Sequence, residues 1–176
     1  MGTRERLTRE AARLFAERGF HGTSVEDLGA ACGISGPAVY KHFAGKHALL
    51  AHVLTSISED LLAGGRAVVA AGGGAAGLVD FHADFALSRP DLIRVQDRDL
   101  ASLREDDRRR VRRLQRAYVE VWAQELVAAA PGLPVERART RAHAAFGLLN
   151  STPHSARGRA DAREELVAMA LRALAG

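Results

Sequence analysis

A chain of 176 residues suits either one compact unit or a small unit followed by a larger one. Its composition, 47% hydrophobic and 26% charged with a net charge of +4, is that of an ordinary soluble globular protein, and it permits a nucleic-acid partner without requiring one. No apolar run is long enough to cross a membrane, and the charged start is unlike a secretory signal, so we expect a cytoplasmic protein. The single Cys32 excludes an intramolecular disulfide and a cysteine zinc cluster.

The first predicted helix spans residues 4–18. Leu7, Ala11, Leu14 and Phe15 form one apolar stripe at helical spacing. Gly19 should end the helix, and Phe20 should pack beneath a three-helix unit.

Two short helices around a tight turn follow. Residues 25–32 carry three apolar side chains on one helical face, and Gly33 suits the left-handed conformation that often ends a helix. Pro37 fits the first turn of the next helix, predicted over 37–43. This pattern predicts a helix-turn-helix, a motif that places its second helix in the major groove of DNA.

The start of the second helix is ambiguous by one residue. Thr23 with Glu26 fits a capping box, and Ser24 with Asp27 nearly does. We expect the hydroxyl that is not needed as the cap to be free to bind a DNA phosphate.

The third helix presents small residues and hydrogen-bond donors to the predicted groove. Among 25 basic side chains only Lys41 and Lys46 are lysine, which favours a compact ammonium placed as a point charge on a phosphate. The predicted DNA-binding residues are Thr23, Ser24, Ser35, Gly36, Pro37, Ala38, Tyr40, Lys41, His42 and Lys46.

The first fifty residues resemble the DNA-binding domain of the TetR family of bacterial transcriptional regulators. The resemblance lies, in order and spacing, in residues 12–15, 19–20, 22–34, 39–43 and 46–50. It implies a helix-turn-helix DNA-binding domain over residues 1–46 and an effector-binding and dimerisation domain over 47–176. It also favours Ser24 over Thr23 as the helix cap.

Six further helices are predicted, and no strand pattern competes with them. The fold class is therefore all-α, with about nine helices and a three-helix N-terminal head on a larger helical body. Gly64-Gly65 is a point at which the first of the six helices could end early. The predicted ranges are 46–71, 75–87, 90–103, 105–130, 135–152 and 160–175.

The sequence gives no support for an enzyme, because it has no nucleophile elbow, phosphate-binding loop or dinucleotide fingerprint, and no cofactor is expected. His42, His47 and His52 are spaced so that they spread around a helix, and no metal site is predicted. His82 and His143 are predicted to face the interior of the body, either as core histidines or as ligand contacts.

An arginine cluster begins the seventh predicted helix. It suits a solvated helix face balanced by the preceding acids; the alternative is an anion subsite for the phosphates of a nucleotide-like ligand such as coenzyme A. The cluster consists of Arg108, Arg109, Arg110, Arg112, Arg113 and Arg116.

The resemblance implies an effector pocket in the body and a two-fold dimer formed by the last two helices. Aromatic residues at helical spacing are candidate pocket walls, although such a stripe is also typical of plain core. The effector-binding candidates are Phe81, Phe85, Tyr118, Trp122, Phe146 and Asn150. The dimerisation candidates are Ala142, Phe146, Leu149, Leu166, Ala170 and Leu174.

These features together predict a ligand-responsive transcriptional regulator, most simply a repressor. It would bind a pseudo-palindromic operator in double-stranded DNA as a homodimer, and a small hydrophobic or acyl-coenzyme A-like effector would release it. Activation in place of repression is compatible with the same sequence. The competing interpretation is an α-helical protein-interaction module without DNA binding, which would not need Tyr40, Lys41, His42 and Lys46 at the groove face.

Overall fold

The structure is a computed structural model and describes residues 2–155 and 161–176. Within these ranges the secondary structure is helical and contains no strand, which confirms the predicted all-α fold. A 3-10 turn, Leu100–Ser102, follows the sixth helix. The helices are α1 (Thr3–Arg18), α2 (Val25–Ala31), α3 (Gly36–Val39), α4 (Lys46–Ala70), α5 (Gly74–Ser88), α6 (Pro90–Asp99), α7 (Glu105–Ala129), α8 (Val135–Leu149), α9 (Thr152–Ser155) and α10 (Ala162–Ala175).

Three helix ends differ from the prediction by three or more residues. Helix α6 ends at Asp99 and not at residue 103, because the 3-10 turn Leu100–Ser102 follows it. Helix α3 ends at Val39 and not at residue 43, because the backbone continues as tight turns in which the N–H of Lys41 bonds the carbonyl of Ala38. Helix α8 ends at Leu149 and not at residue 152, because the buried Thr152 hydroxyl donates to a carbonyl of α5. The predicted start of the last helix, residue 160, lies outside the described residues.

The described chain forms two compact units. The first contains residues 2–58 and Asp91–Arg112, and the second contains Glu59–Pro90, 113–155 and 161–176. Both units therefore take part of α4 and part of α7. This division differs from the predicted one after residue 46, since it groups α6 with the N-terminal helices. None of the helices in the described ranges has a stretch long and apolar enough for a membrane span.

The apolar stripe predicted for α1 forms the core of the first unit. Leu7, Ala11, Leu14 and Phe15 are buried, and the Phe20 ring packs against Phe15 with a centroid distance of 5.7 Å. The same unit buries Val39 at the end of α3 and Phe43 in the turn that follows.

In the second unit, two glycines let aromatic rings reach the backbone of α4. A Cβ atom on Gly65 would lie 2.6 Å from Cε2 of Tyr118, and one on Gly64 would overlap the Phe81 ring. The helix continues through both glycines to Ala70, close to the predicted end at residue 71, and does not end early at Gly64-Gly65. Their function in this helix is to leave space for the rings.

Candidate functional site

Ser24 caps helix α2. Its hydroxyl accepts the backbone N–H of Asp27 at 3.0 Å, and the Asp27 carboxylate accepts the backbone N–H of Ser24 at 2.9 Å. The bonds from the Ser24 hydroxyl and amide hold the pKa of the Asp27 carboxyl below its usual value. The capping box favoured by the family resemblance is thus the one that forms.

Thr23 is not available to a phosphate in this arrangement. The residue is 1% exposed, and its hydroxyl donates to the carbonyl of Gly19 at 2.9 Å. The Thr23 hydroxyl, which does not cap α2, therefore bonds the backbone at the end of α1. This corrects the prediction that Thr23 contacts a DNA phosphate.

The turn between α2 and α3 depends on two glycines. Gly33 has φ +64°, the left-handed conformation predicted for it. Gly29, inside α2, faces the turn so closely that a Cβ would lie 2.8 Å from the Ile34 carbonyl oxygen and 3.1 Å from the Gly36 nitrogen. Sequence reasoning missed Gly29, although a glycine inside a helical pattern was a signal for a close backbone approach.

The predicted groove face of α3 and its following turn is accessible. Tyr40 is 58% exposed. Lys41 is also exposed, and its ammonium makes no hydrogen bond or ion pair with the residues that the structure describes. Of the other predicted residues, Ser35 and Pro37 are exposed, and Gly36, Ala38 and His42 are half-buried. These predicted residues share one accessible surface because they are consecutive in the chain, and their contact with DNA stays a prediction.

Lys46 has a structural function that the sequence did not indicate. Its ammonium donates to the carbonyls of Phe20 and Thr23, both at 2.8 Å, and lies 4.4 Å from the centroid of the Phe20 ring. It therefore ties the start of α4 to the segment between α1 and α2, with one of its three donors left for a phosphate.

Arg4 holds the turn that follows α3 and was not predicted from the sequence. Its guanidinium donates to the carbonyl of His42 and lies 4.1 Å from the centroid of the Phe43 ring. These contacts fix the end of the turn that carries Tyr40 and Lys41.

The second unit contains a buried polar pair inside an aromatic cluster. His82 Nε2 lies 2.9 Å from Asn150 Oδ1, and His82 Nδ1 lies 3.2 Å from the Tyr118 hydroxyl. One tautomer satisfies both bonds: Nε2–H donates to Asn150, and Nδ1 accepts from Tyr118. Burial lowers the pKa of His82 to about 4 and raises that of Tyr118, so both side chains are uncharged at neutral pH.

Four of the six effector candidates surround His82, namely Tyr118, Trp122, Phe146 and Asn150. The remaining two, Phe85 and Phe81, lie at the edge of the cluster: the Phe85 centroid is 6.4 Å from that of His82, and Phe81 packs against α4.

His143 was predicted to face the interior and is exposed, so that prediction was wrong. The buried face of α8 consists of Ala138, Ala142, Ala145 and Leu149, and His143 lies off this face.

The dimerisation candidates are buried within one subunit. Helices α8 and α10 pack against each other, and Phe146 joins the aromatic cluster. Met169 and Leu171, on either side of the buried face of α10, are instead 37% and 38% exposed. The five candidates buried on α8 and α10 are Ala142, Leu149, Leu166, Ala170 and Leu174.

The arginine cluster contains local ion pairs. Arg108 pairs with Glu105, and Arg109 pairs with Glu105 and Asp106, all on α7. These pairs fit the solvated helix face.

A separate groove of about 470 Å³ lies between α4 and α7 in the second unit and shares none of the effector candidates; it is lined by Arg66, Val69, Ala70, Ala117, Glu120, Val121, Gln124 and Glu125.

Two family models match this chain. The model of bacterial regulatory proteins of the tetR family covers residues 7–53. The model of the tetracyclin repressor-like C-terminal domain covers residues 76–174, which is more than half of the chain.

Individual relatives agree with these matches. The HTH-type transcriptional repressor KstR2 of Rhodococcus jostii is 39% identical over 71 residues, a match covering 40% of this chain but only 35% of that relative. A TetR-family regulator from Bordetella parapertussis has a TM-score of 0.83 at 25% identity, over 97% of this chain and 91% of the other. A tetR-family regulatory protein from Rhodococcus RHA1 shares the fold, with a TM-score of 0.84 at 20% identity over 99% and 96% of the two chains. The chain belongs to the TetR family of bacterial transcriptional regulators.

Proposed function

We propose that this chain is a ligand-responsive repressor that binds a pseudo-palindromic operator as a homodimer and is released by a small hydrophobic effector. TetR-family regulators typically bind operator DNA as dimers and respond to small molecules, and the homologues are regulators and not enzymes. The observation that carries the proposal is the exposed Tyr40-Lys41 pair on a helix-turn-helix. A dimer would place its two α3 helices in successive major grooves, about 34–36 Å apart.

The contacts follow from side-chain chemistry. Lys41 is an exposed cation suited to a phosphate, and the Tyr40 hydroxyl is a second donor. Gly36 and Ala38 are small enough for the backbone to approach base edges, and His42 is placed beside them.

The effector is proposed to bind at the buried aromatic cluster of the second unit. Helix α4 supplies residues to both units, so it is the proposed route from the cluster to the DNA-binding unit. An effector can release DNA only through its different affinities for the binding and non-binding conformations. An acyl-coenzyme A-like effector belongs to the same hypothesis, with its acyl chain in the cluster.

The experiment is an anisotropy titration of DNA from the chain's own upstream region at several salt concentrations. We expect Lys41→Gln to weaken binding and to reduce the slope of log affinity against log salt by about 0.9, because one phosphate contact is lost. Lys46→Gln should reduce the slope similarly through its remaining donor, while the exposed Arg66→Gln in the second unit serves as the unchanged control. An unchanged slope in Lys41→Gln would refute this groove face, and wild-type protein that ignores all DNA at low salt would refute the function.

A further inference from the structure

We infer that the cluster around Trp122 takes a flat, uncharged ligand that presents one hydrogen-bond acceptor to the Trp122 indole N–H. The Phe146 ring now fills the slot that this ligand would occupy. The inference rests on the proposed function, since it takes the ligand of this cluster to be the effector.

The first observation is an unused donor. Trp122 is fully buried, and its indole nitrogen has no hydrogen-bond partner among the described residues. Burial raises the pKa of the Tyr118 hydroxyl, and the nearby Trp122 N–H offsets part of that rise. The Trp122 N–H nevertheless makes no hydrogen bond of normal geometry. Buried donors in folded proteins are nearly always bonded, so an acceptor is the missing element of this cluster.

The second observation is the ring geometry, which defines a flat slot. The rings of His82, Tyr118 and Phe146 are nearly parallel, with interplanar angles of 12–26° and centroid distances of 5.0–5.8 Å. Trp122 stands at 74° to the Phe146 ring at 4.8 Å. A planar molecule in place of the Phe146 ring would stack on its neighbours and meet Trp122.

Phe146 is the ring most able to move. It is only half-buried, whereas the other three rings are buried. Rotation of its side chain towards solvent would open the slot without displacing the His82 hydrogen bonds to Tyr118 and Asn150.

The third observation is the absence of charge from the cluster. Its described members are uncharged at neutral pH, and His82 already uses both ring nitrogens. A buried carboxylate or ammonium would find no partner of opposite charge, which strongly disfavours an ionic ligand. Among the described cluster residues, the Trp122 N–H is then the one fully buried side-chain donor without a partner, which favours a ligand with an acceptor such as a ketone oxygen.

The test uses three probes of similar shape on the full chain: 2-acetonaphthone, which has a ketone acceptor, 2-ethylnaphthalene, which has none, and 2-naphthoate, which is charged. In isothermal titration calorimetry we expect acetonaphthone to bind about tenfold more tightly than ethylnaphthalene, the factor of one net hydrogen bond. Naphthoate should show no binding. In Trp122→Phe the ketone preference should vanish while ethylnaphthalene affinity stays within twofold, and Arg137→Gln, at an exposed site on α8, should behave as the wild type.

Two results would overturn the inference: a ketone preference that survives in Trp122→Phe, or naphthoate binding at least as tightly as acetonaphthone. If Trp122→Phe does not fold, Phe146→Ala decides instead, because enlarging the slot should raise acetonaphthone affinity and an unchanged affinity would place the probe elsewhere. Operator binding is measured separately. Failure of the wild type to bind DNA refutes the proposed function, whereas DNA binding without the ketone preference refutes only the ligand class.

Discussion

Asp99 accepts a hydrogen bond from the backbone N–H of Phe20 at 3.3 Å, although the two residues are 79 positions apart. The neighbouring Arg98 donates to the carbonyls of Phe15 and Ala16, in the last turn of α1. Carbonyls at a helix end have no partner within the helix. The end of α6 thus supplies a donor to the Ala16 carbonyl and a second donor to the Phe15 carbonyl, which already accepts the N–H of Gly19. These bonds tie the end of α6 to α1 within the first unit.

Replacing Asp99 by alanine should lower the free energy of unfolding by about 2 kcal/mol, because the Phe20 N–H and part of the Arg98 guanidinium lose a buried acceptor. Urea denaturation followed by circular dichroism measures this loss. Glu17→Ala is the matched control: its carboxylate pairs with Arg13 at the surface, and such pairs contribute less than about 1 kcal/mol. Equal effects of the two variants would contradict the structural function of Asp99.

The sequence predicted α1 and α6 as helices but not their contact. The stripe Leu7, Ala11, Leu14 and Phe15 is local, and its spacing was enough to predict α1 and its buried face. Arg98 and Asp99 are adjacent opposite charges on a surface helix, a pattern that ordinarily indicates a solvated pair. Only the folded chain brings them to the end of α1.

Gly29→Ala should destabilise the first unit by about 1–3 kcal/mol, although alanine is the better helix former. The added methyl group would meet the backbone of the turn, at 2.8 Å from the Ile34 oxygen, and a backbone cannot rotate away as a side chain can. Ala30→Ser adds an atom on the exposed side of the same helix and should change stability by less than about 0.5 kcal/mol. Thermal unfolding of both variants measures the difference, and a Gly29→Ala protein as stable as the wild type would show that the turn can move.

The candidate sites show what local patterns can and cannot predict. Tyr40 and Lys41 are both exposed, as expected for neighbouring residues of one predicted surface. His82 and His143 both had a predicted inward orientation, but the alanine-rich face of α8 turns His143 to solvent while His82 is buried at the centre of three helices. Which rings meet depends on how α5, α7 and α8 pack, which is not encoded in the spacing within any one of them.

His82 should make the second unit less stable in mild acid. Its pKa is lowered by burial from 6.5 to about 4 in the folded state, so between these values the unfolded chain binds a proton that the folded chain does not. The free energy of unfolding therefore falls as the pH falls through this window. For this group alone we expect a loss of about 2 kcal/mol between pH 7.5 and 5.0.

Urea titrations at pH 7.5 and 5.0 test this expectation. His82→Gln removes the titrating group, so its loss of stability between the two values should be about 2 kcal/mol smaller than that of the wild type. Ala144→Gln, at an exposed site without a titratable group on α8, should lose as much as the wild type. If His82→Gln showed the full loss, the stability of the folded protein in acid would not depend on the neutral form of His82.

The outer face of α10 gives a test of the dimer that separates association from folding. Leu166 is buried against the subunit's own core, whereas Leu171 is 38% exposed on the same helix.

Because a dimer is stabilised by mass action, the unfolding midpoint of the wild type should rise with protein concentration. We propose that the exposed Leu171 takes part in the dimer contact. Leu171→Lys should then remove that dependence, since it adds a charge to the contact, and sedimentation should show monomers. Leu166→Ala should instead lower the midpoint at every concentration, with a loss of about 2–5 kcal/mol from the cavity it creates. A Leu171→Lys protein that remains dimeric would place the interface on a different surface, because a lysine at the centre of an apolar helix contact cannot be buried without a partner charge.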